Sequence, residues 1–360
     1  MPSKKEQTFL CSECFTDEGL KIDSYQIGLK NKSICPQCKS KEGKKLTKKN
    51  VEDLCYRFFV RGTIHRTEYG GFPLIEFNEY NYNQSSIHVS PWLVKDVELI
   101  EKTIKIGLFY YGPRFWMLGE ITPLKLLQNK KKKLQVIERI LTTYPTVDLT
   151  NKHHFYRIRL NPKVPHNIDE YDSAPDKYLG SNRLDSANFP VLYGSPDLEL
   201  CIHECRTSVE DNIFFAKLSP IKTLKVLDLT SLIDEEATEF ESLDMAIHFL
   251  FLAGKHSYEI CRDIASEAMK KGFDDIIFPS YFSYIRNGHV PFDAIYGISI
   301  RKIPELKRYA QAQSVPNLAL FGRPIKENKV SVDCINKVVI NKIDYDISFG
   351  PAYHEAFTED

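Results

Sequence analysis

The chain lacks an apolar run long enough to cross a bilayer. Its greasiest stretch, AIHFLFLAG at 246–254, is about half the length a spanning helix needs. It also lacks an excess of either charge: 48 basic and 48 acidic residues give a formal net charge of +0. No global field therefore draws it to nucleic acid or to an anionic membrane. No apolar core follows Met1, and MPSKKEQTF does not read as a signal peptide. HExxH, P-loop and Rossmann glycine patterns are missing throughout, so any dinucleotide would be a substrate in a cleft rather than a cofactor on a dinucleotide fold. These absences predict a soluble, cytoplasmic protein with no membrane partner.

What is there is material for a core. Hydrophobic content of 42% and charged content of 27% sit near the averages of soluble globular proteins, and 360 residues suffice for two or three domains. Nine cysteines without an export signal imply reduced thiols rather than a disulfide frame. Four of them form two knuckles, Cys11-Ser-Glu-Cys14 and Cys35-Pro-Gln-Cys38. That spacing suits one tetrahedral zinc held by four thiolates. With no position left for a water, the expectation is structural zinc rather than a catalytic metal, and the doubled motif argues against a thioredoxin-like redox pair.

Residues 1–60 carry twelve Lys or Arg against eight Asp or Glu. Two readings stand for this module: a basic rim that binds nucleic acid, or a small metal-stapled unit that docks on its neighbour. The expected division is a zinc ribbon at 1–50, a mainly helical segment at 51–145 and a last domain at 146–360. NVEDLCYRFFV is expected to open a helix on an Asn50 cap. EYNYNQSSIHV reads as loop or short strand. The four lysines at 130–133 break a helical period and read as a solvated turn. TTYPTVDLT at 142–150 reads as a linker.

From about 151 the pattern changes. HHFYRIRL alternates as a strand, which sets Arg157 and Arg159 on one side. Arg183 lies in a Gly-Ser-Asn turn ahead of Tyr193 on the next strand. Ser195-Pro196-Asp197 is expected to open a helix with Ser195 as its cap. At about 100° per residue, Leu198, Ile202, Cys205 and Val209 form an apolar stripe and His203 faces solvent. Glu204 falls at the edge of the buried side, where a carboxylate needs a partner or a task. An ion pair with Arg157 or Arg183 is one explanation and catalysis the other. Gly272 ends one or two further helices, and FDDIIFPSYFS runs a strand into Ser280. There a serine is either a turn residue or a ligand contact at the mouth of a sheet.

Arg157 in FYRIR, Arg183 in SNRLD, Tyr193 in VLYGS, Glu204 in CIHECR and Ser280 in IIFPS, in that order, resemble the RES domain family, as does NLALFGRPI at 317–325. Arg157 is chosen over Arg159 because it directly follows the tyrosine of the family-like YR pair. Residues 1–145 resemble the zinc-knuckle HEPN/RES-type module often fused ahead of RES. The resemblance implies an α+β fold related to ADP-ribosyltransferases: a curved mixed sheet with helices around a cleft, preceded by a zinc ribbon and a mainly helical segment. It also implies an enzyme that consumes NAD, as a phosphorylase or glycohydrolase of toxin or antiphage type, and an inhibitory protein partner.

Residue chemistry is compatible with that expectation. Cleaving the nicotinamide–ribose bond expels a neutral base, so one carboxylate, Glu204, suffices to steady the ribosyl cation. Arg157 and Arg183 would hold the pyrophosphate or an incoming inorganic phosphate. Tyr193 would face nicotinamide, and Ser280 would donate a hydrogen bond. Two alternatives remain: a mono-ADP-ribosyltransferase acting on a macromolecule, and a zinc-ribbon nucleic-acid-binding protein.

Overall fold

The computed structural model describes residues 7–67, 70–73, 75–78, 84–110, 121–238, 240–283, 294–295, 298–345 and 347–352. The chain divides into two compact units, one of Met1–Thr67, Gly71–Trp116 and Tyr345–Asp360, the other of Glu68–Gly70 and Met117–Asp344. The boundary expected at 145/146 falls inside the second unit. Among the described residues, no helix is long and apolar enough to cross a membrane.

In the first unit β1 (Thr8–Cys11) precedes α1 (Glu18–Ile27), and β2 (Lys45–Thr47), antiparallel to β1, leads into α2 (Lys48–Cys55). The cap of α2 is Thr47, not Asn50. Thr47 Oγ1 accepts from Asn50 N at 3.2 Å while Asn50 Oδ1 accepts from Thr47 N at 3.0 Å, a reciprocal capping box. The Lys48–Lys49 pair is helical as well, so the helix begins one turn before the polar-to-apolar change suggests. After β3 (Ile75–Asn78), α3 (Pro91–Ile104) leads to β4 (Gly107–Tyr110), which returns antiparallel to β3. Of EYNYNQSSIHV, residues 79–83 lie outside the described residues and 84–89 are irregular. Leu10, Leu20, Leu46, Leu54, Phe58 and Ile100 make the core. Asp96 of α3 accepts from Thr16 N at 2.8 Å and Asp17 N at 2.7 Å, which fixes the turn after the first knuckle.

The second unit opens with α4 (Thr122–Gln128) and α5 (Lys133–Thr143), separated by an exposed turn that carries Lys130–Lys132. The lysine run is therefore a solvated turn, and Lys133 pairs with Asp263 at 2.6 Å. The stretch read as a linker contains a strand: β5 (Thr146–Leu149) pairs with 224–227, because Val147 and Leu149 have an apolar neighbour to cover them. Then follow β6 (Phe155–Leu160), β7 (Val191–Gly194), α6 (Leu198–Glu204), β8 (Ile213–Pro220), β9 (Leu224–Asp228), α7 (Leu243–Leu252), α8 (Tyr258–Lys270), β10 (Asp275–Pro279), β11 (Pro316–Phe321) and β12 (Val330–Val338).

Two sheets result. One has the order β5–β9–β10–β11–β7, mixed because only β9 and β10 run parallel; the other, β12–β8–β6, is antiparallel. An antiparallel bridge between Tyr156 and Ser195 joins β6 of the small sheet to the end of β7 of the large one. A Cβ on Gly194 would lie 2.8 Å from both the Phe155 ring and the Tyr156 carbonyl oxygen, so the crossing is possible only without one. Phe155, Leu192, Ala216, Leu218, Val226 and Leu318 fill the space between the sheets. The mixed α+β arrangement expected from the sequence is present, spread over more than one sheet.

Asp275, buried on the central strand β10, accepts from Ala319 N at 2.8 Å through Oδ1, whereas its Oδ2 has no partner. Burial holds its pKa well above the ordinary carboxylate value. The folded state therefore binds the proton more tightly than the unfolded chain, whose Asp titrates near about 3.9. Stability falls as pH rises from there toward the folded pKa. Asp275→Asn is expected to unfold at higher urea than the parent at pH 7.5, by about 1–3 kcal/mol, with the gain shrinking toward pH 4. Equal stability at both pH values would contradict this.

Candidate functional site

The sheet junction sets the site. Ser195 exchanges backbone hydrogen bonds with Tyr156, and its Oγ donates to Pro316 O of β11 at 2.7 Å while accepting from Asp197 N at 3.1 Å. The N-cap of α6 is thus Asp197, whose carboxylate accepts from Leu200 N at 2.9 Å, and not Ser195 as expected. Leu198, Cys201, Ile202 and Cys205 pack α6 on Ile158 and Ile213 of the small sheet. The helix stops at Glu204, and Arg206 enters the left-handed region at φ 50°. Val209 lies past that end and is 58% exposed, so it is no part of the stripe.

Glu204, as the last helical residue, is exposed rather than tucked against the buried side; the helical arithmetic assumed a turn that does not form. Its carboxylate is nevertheless held. Ser280 Oγ donates to Oε1 at 2.5 Å, and Asn317 Nδ2 donates to the same oxygen at 2.6 Å. Ser280, 1% exposed, follows β10 directly, and Asn317, 7% exposed, lies on β11 beside it. Serine and asparagine, rather than an arginine, hold Glu204. Asn317 was not singled out from the sequence; the signal lay in the NLALFGRPI run, whose first residue it is.

The arginines divide by what their donors reach. Arg157 Nη1 donates to Tyr193 O at 2.7 Å, and its Nε is buried with no partner. Burial lowers its pKa, although an arginine remains charged at neutral pH. Arg159 closes its own loop, donating from Nε and Nη2 to the carbonyls of Glu170 and Asp172. Arg183 is engaged elsewhere: Nη1 reaches Leu250 O at 3.1 Å and Ser257 Oγ at 3.2 Å, and Nη2 reaches Ala253 O at 2.9 Å. These bonds cap the C-terminal end of α7, where carbonyls lack helical partners and a cation is favoured. The guanidinium also sits 4.8 Å from the Tyr258 ring centroid. Three of its five N–H donors are thus engaged.

Tyr193 is half-buried, and its hydroxyl accepts from Leu184 N at 2.8 Å and Asp185 N at 3.2 Å, which ties it to the Arg183 turn. Burial raises its pKa, so it stays neutral. Cys205 links the groups electrostatically. Burial pushes its thiol up, with the Arg157 guanidinium opposing and Glu204 adding. His203, expected on the solvent face, is half-buried and stacked on Phe282 with ring centroids 6.1 Å apart. The structure also has a shallow groove of about 440 Å³ on the small sheet, between Pro165, Phe214, Val332 and Ile335; none of its lining residues belongs to this site.

In the first unit the Sγ atoms of Cys11, Cys14, Cys35 and Cys38 all lie within 4.8 Å of one another, with Cys11–Cys38 at 3.4 Å and Cys14–Cys35 at 3.5 Å. Sulfurs at about 2.3 Å from a tetrahedral ion are roughly 3.8 Å apart, so the four could hold a metal, compatible with the expected ribbon. The buried Lys45 anchors the adjoining loop by donating to Ser40 O at 3.5 Å, Lys41 O at 3.2 Å, Glu42 O at 2.6 Å and Gly43 O at 3.2 Å.

Residues 154–290 match the family model of the RES domain. Among solved structures, the chain is similar to one from the crystal structure of the M. tuberculosis MbcT–MbcA toxin–antitoxin complex. The two are 13% identical, with 56% of this chain and 91% of that chain covered at a TM-score of 0.35. No curated protein matches the sequence.

Arg183→Ala is expected to destabilise the second unit by about 2 kcal/mol, the range for lost hydrogen bonds to a charged group, read as a lower urea midpoint. An unchanged midpoint would contradict its role as a helix anchor.

Proposed function

We propose that the chain cleaves the nicotinamide–ribose bond of NAD, with inorganic phosphate or water as acceptor. The observation that carries this reading is the Glu204 carboxylate, fixed through one oxygen by Ser280 and Asn317, in a RES domain. The bond breaks with its electron pair going to the pyridinium nitrogen, so nicotinamide leaves neutral and no general acid is required. The ribosyl ring becomes an oxocarbenium ion, and Glu204 stabilises that charge. Arg157, with a buried Nε lacking a partner, supplies donors to a phosphate oxygen. The Tyr193 ring, held by its hydroxyl, offers an aromatic face to the base. Phosphate attack at the anomeric carbon gives an ADP-ribosyl phosphate; water gives ADP-ribose and a proton.

The exposure of Glu204 leaves room for a larger nucleophile, and transfer of ADP-ribose to a macromolecule is the second reading. Unrestrained NAD consumption would starve the host cell, so the proposal includes an inhibitory protein partner and a toxin-like role. For the four-cysteine cluster the proposed ion is zinc in a structural role, since all its protein ligands are thiolates and no water position remains.

Incubated with NAD, the chain should release nicotinamide, and chromatography with and without phosphate identifies the acceptor. Glu204→Gln should lower the rate by about 10²- to 10³-fold, the usual loss when one preorganised electrostatic group is removed, with an unchanged melting temperature. NAD left intact by the metal-loaded chain in phosphate buffer would sink the reading. Elemental analysis is expected to find one zinc per chain, lost together with thermal stability in Cys35→Ser; a metal-free protein of unaltered stability would exclude the structural role.

A further inference from the structure

We propose that Asn317 is a positioning residue for Glu204: with Ser280 it saturates Oε1, so that Oε2 is the oxygen presented to the ribose. This inference rests on the NAD-cleaving reading. A glutamate at the exposed end of a helix would ordinarily sample several rotamers, at about 1.5–2 kcal/mol of entropy to hold in one. Here two donors converge on a single oxygen, and both come from buried residues at neighbouring strand ends.

The direction of both bonds follows from what else those groups do. Ser280 Oγ accepts from Phe282 N at 3.0 Å, and its one hydrogen is directed at Oε1. The Asn317 amide lies 2.6 Å from Oε1, a distance at which its carbonyl would face a carboxylate oxygen with lone pairs on both sides, so the NH₂ group must be the one turned inward. Asn317 is itself set by its strand: the preceding Pro316 carbonyl accepts from Ser195 Oγ at 2.7 Å, and residue 317 pairs in register with Phe278. With two acceptor sites of Oε1 filled, the remaining acceptor capacity of the carboxylate lies on Oε2. Placement matters because a shift of about 1 Å in a catalytic group can cost about 10²-fold in rate.

The test compares Asn317→Leu, which keeps the shape and removes the donor, with Asn317→Gln, which keeps an amide on a longer stem. For NAD cleavage, Asn317→Leu should lower kcat by about 10- to 100-fold and leave KM within about threefold of the parent, while Asn317→Gln recovers part of the loss. Wild-type kcat in Asn317→Leu, or a change confined to KM, would overturn the inference. A cycle of urea unfolding midpoints on Glu204→Ala, Asn317→Leu and the double variant reads the contact without any activity. Non-additive shifts are expected and additive ones overturn the proposal. A chain that leaves NAD untouched but shows non-additive shifts would sink the reaction while the contact stands.

Discussion

The second unit depends on one close approach. At the crossing of Phe155–Leu160 and Val191–Gly194 the two sheets share a backbone bridge, Tyr156 to Ser195, and Gly194 leaves the space that a Cβ would take from the Phe155 ring and the Tyr156 carbonyl. Everything in the site hangs on that contact. It lays Arg157 beside the Tyr193 carbonyl. It starts the helix that ends in Glu204, and through the Ser195 hydroxyl it holds the Pro316 carbonyl, next to Asn317. Burial of Phe155, Leu192 and Leu318 between the sheets stabilises the crossing, so site geometry and core packing share one cause.

Around that junction the charged side chains follow a simple economy. Arg159 and Arg183 each donate to backbone carbonyls, one closing a loop and the other a helix end. Both repair groups that folding would otherwise leave unpaired, which is costly away from water. Arg157 satisfies one carbonyl and keeps a buried Nε without a partner. An unsatisfied donor inside a fold carries a free-energy cost.

The first unit solves a different problem. A pair of three- and four-residue strands buries too little to stand by itself, and its order comes from side chains that tie loops down. Four thiols converge to a spacing suited to a metal, Lys45 gathers four loop carbonyls, and Asp96 holds two amides beyond the first knuckle.

Local chemistry was readable directly. The knuckles, the strand of FYRIR, the serine after IIFP and the helix carrying Glu204 depend on spacing and capping within a few residues, and the sequence determined them. Where it misled, the missing information was non-local. Ser195 looked like a cap because its hydroxyl had no visible rival, yet Pro316 claims it. Residues 146–149 looked like a linker because the strand that covers them lies some eighty residues away. Only the folded chain brings the end of Leu243–Leu252 against Arg183. Asn317, over a hundred residues from Glu204, could be joined to it only by strand order. Residue type and spacing determined which groups the protein possesses; tertiary structure decided which donors remained free, because a hydrogen bond made across the fold leaves no mark on the local sequence.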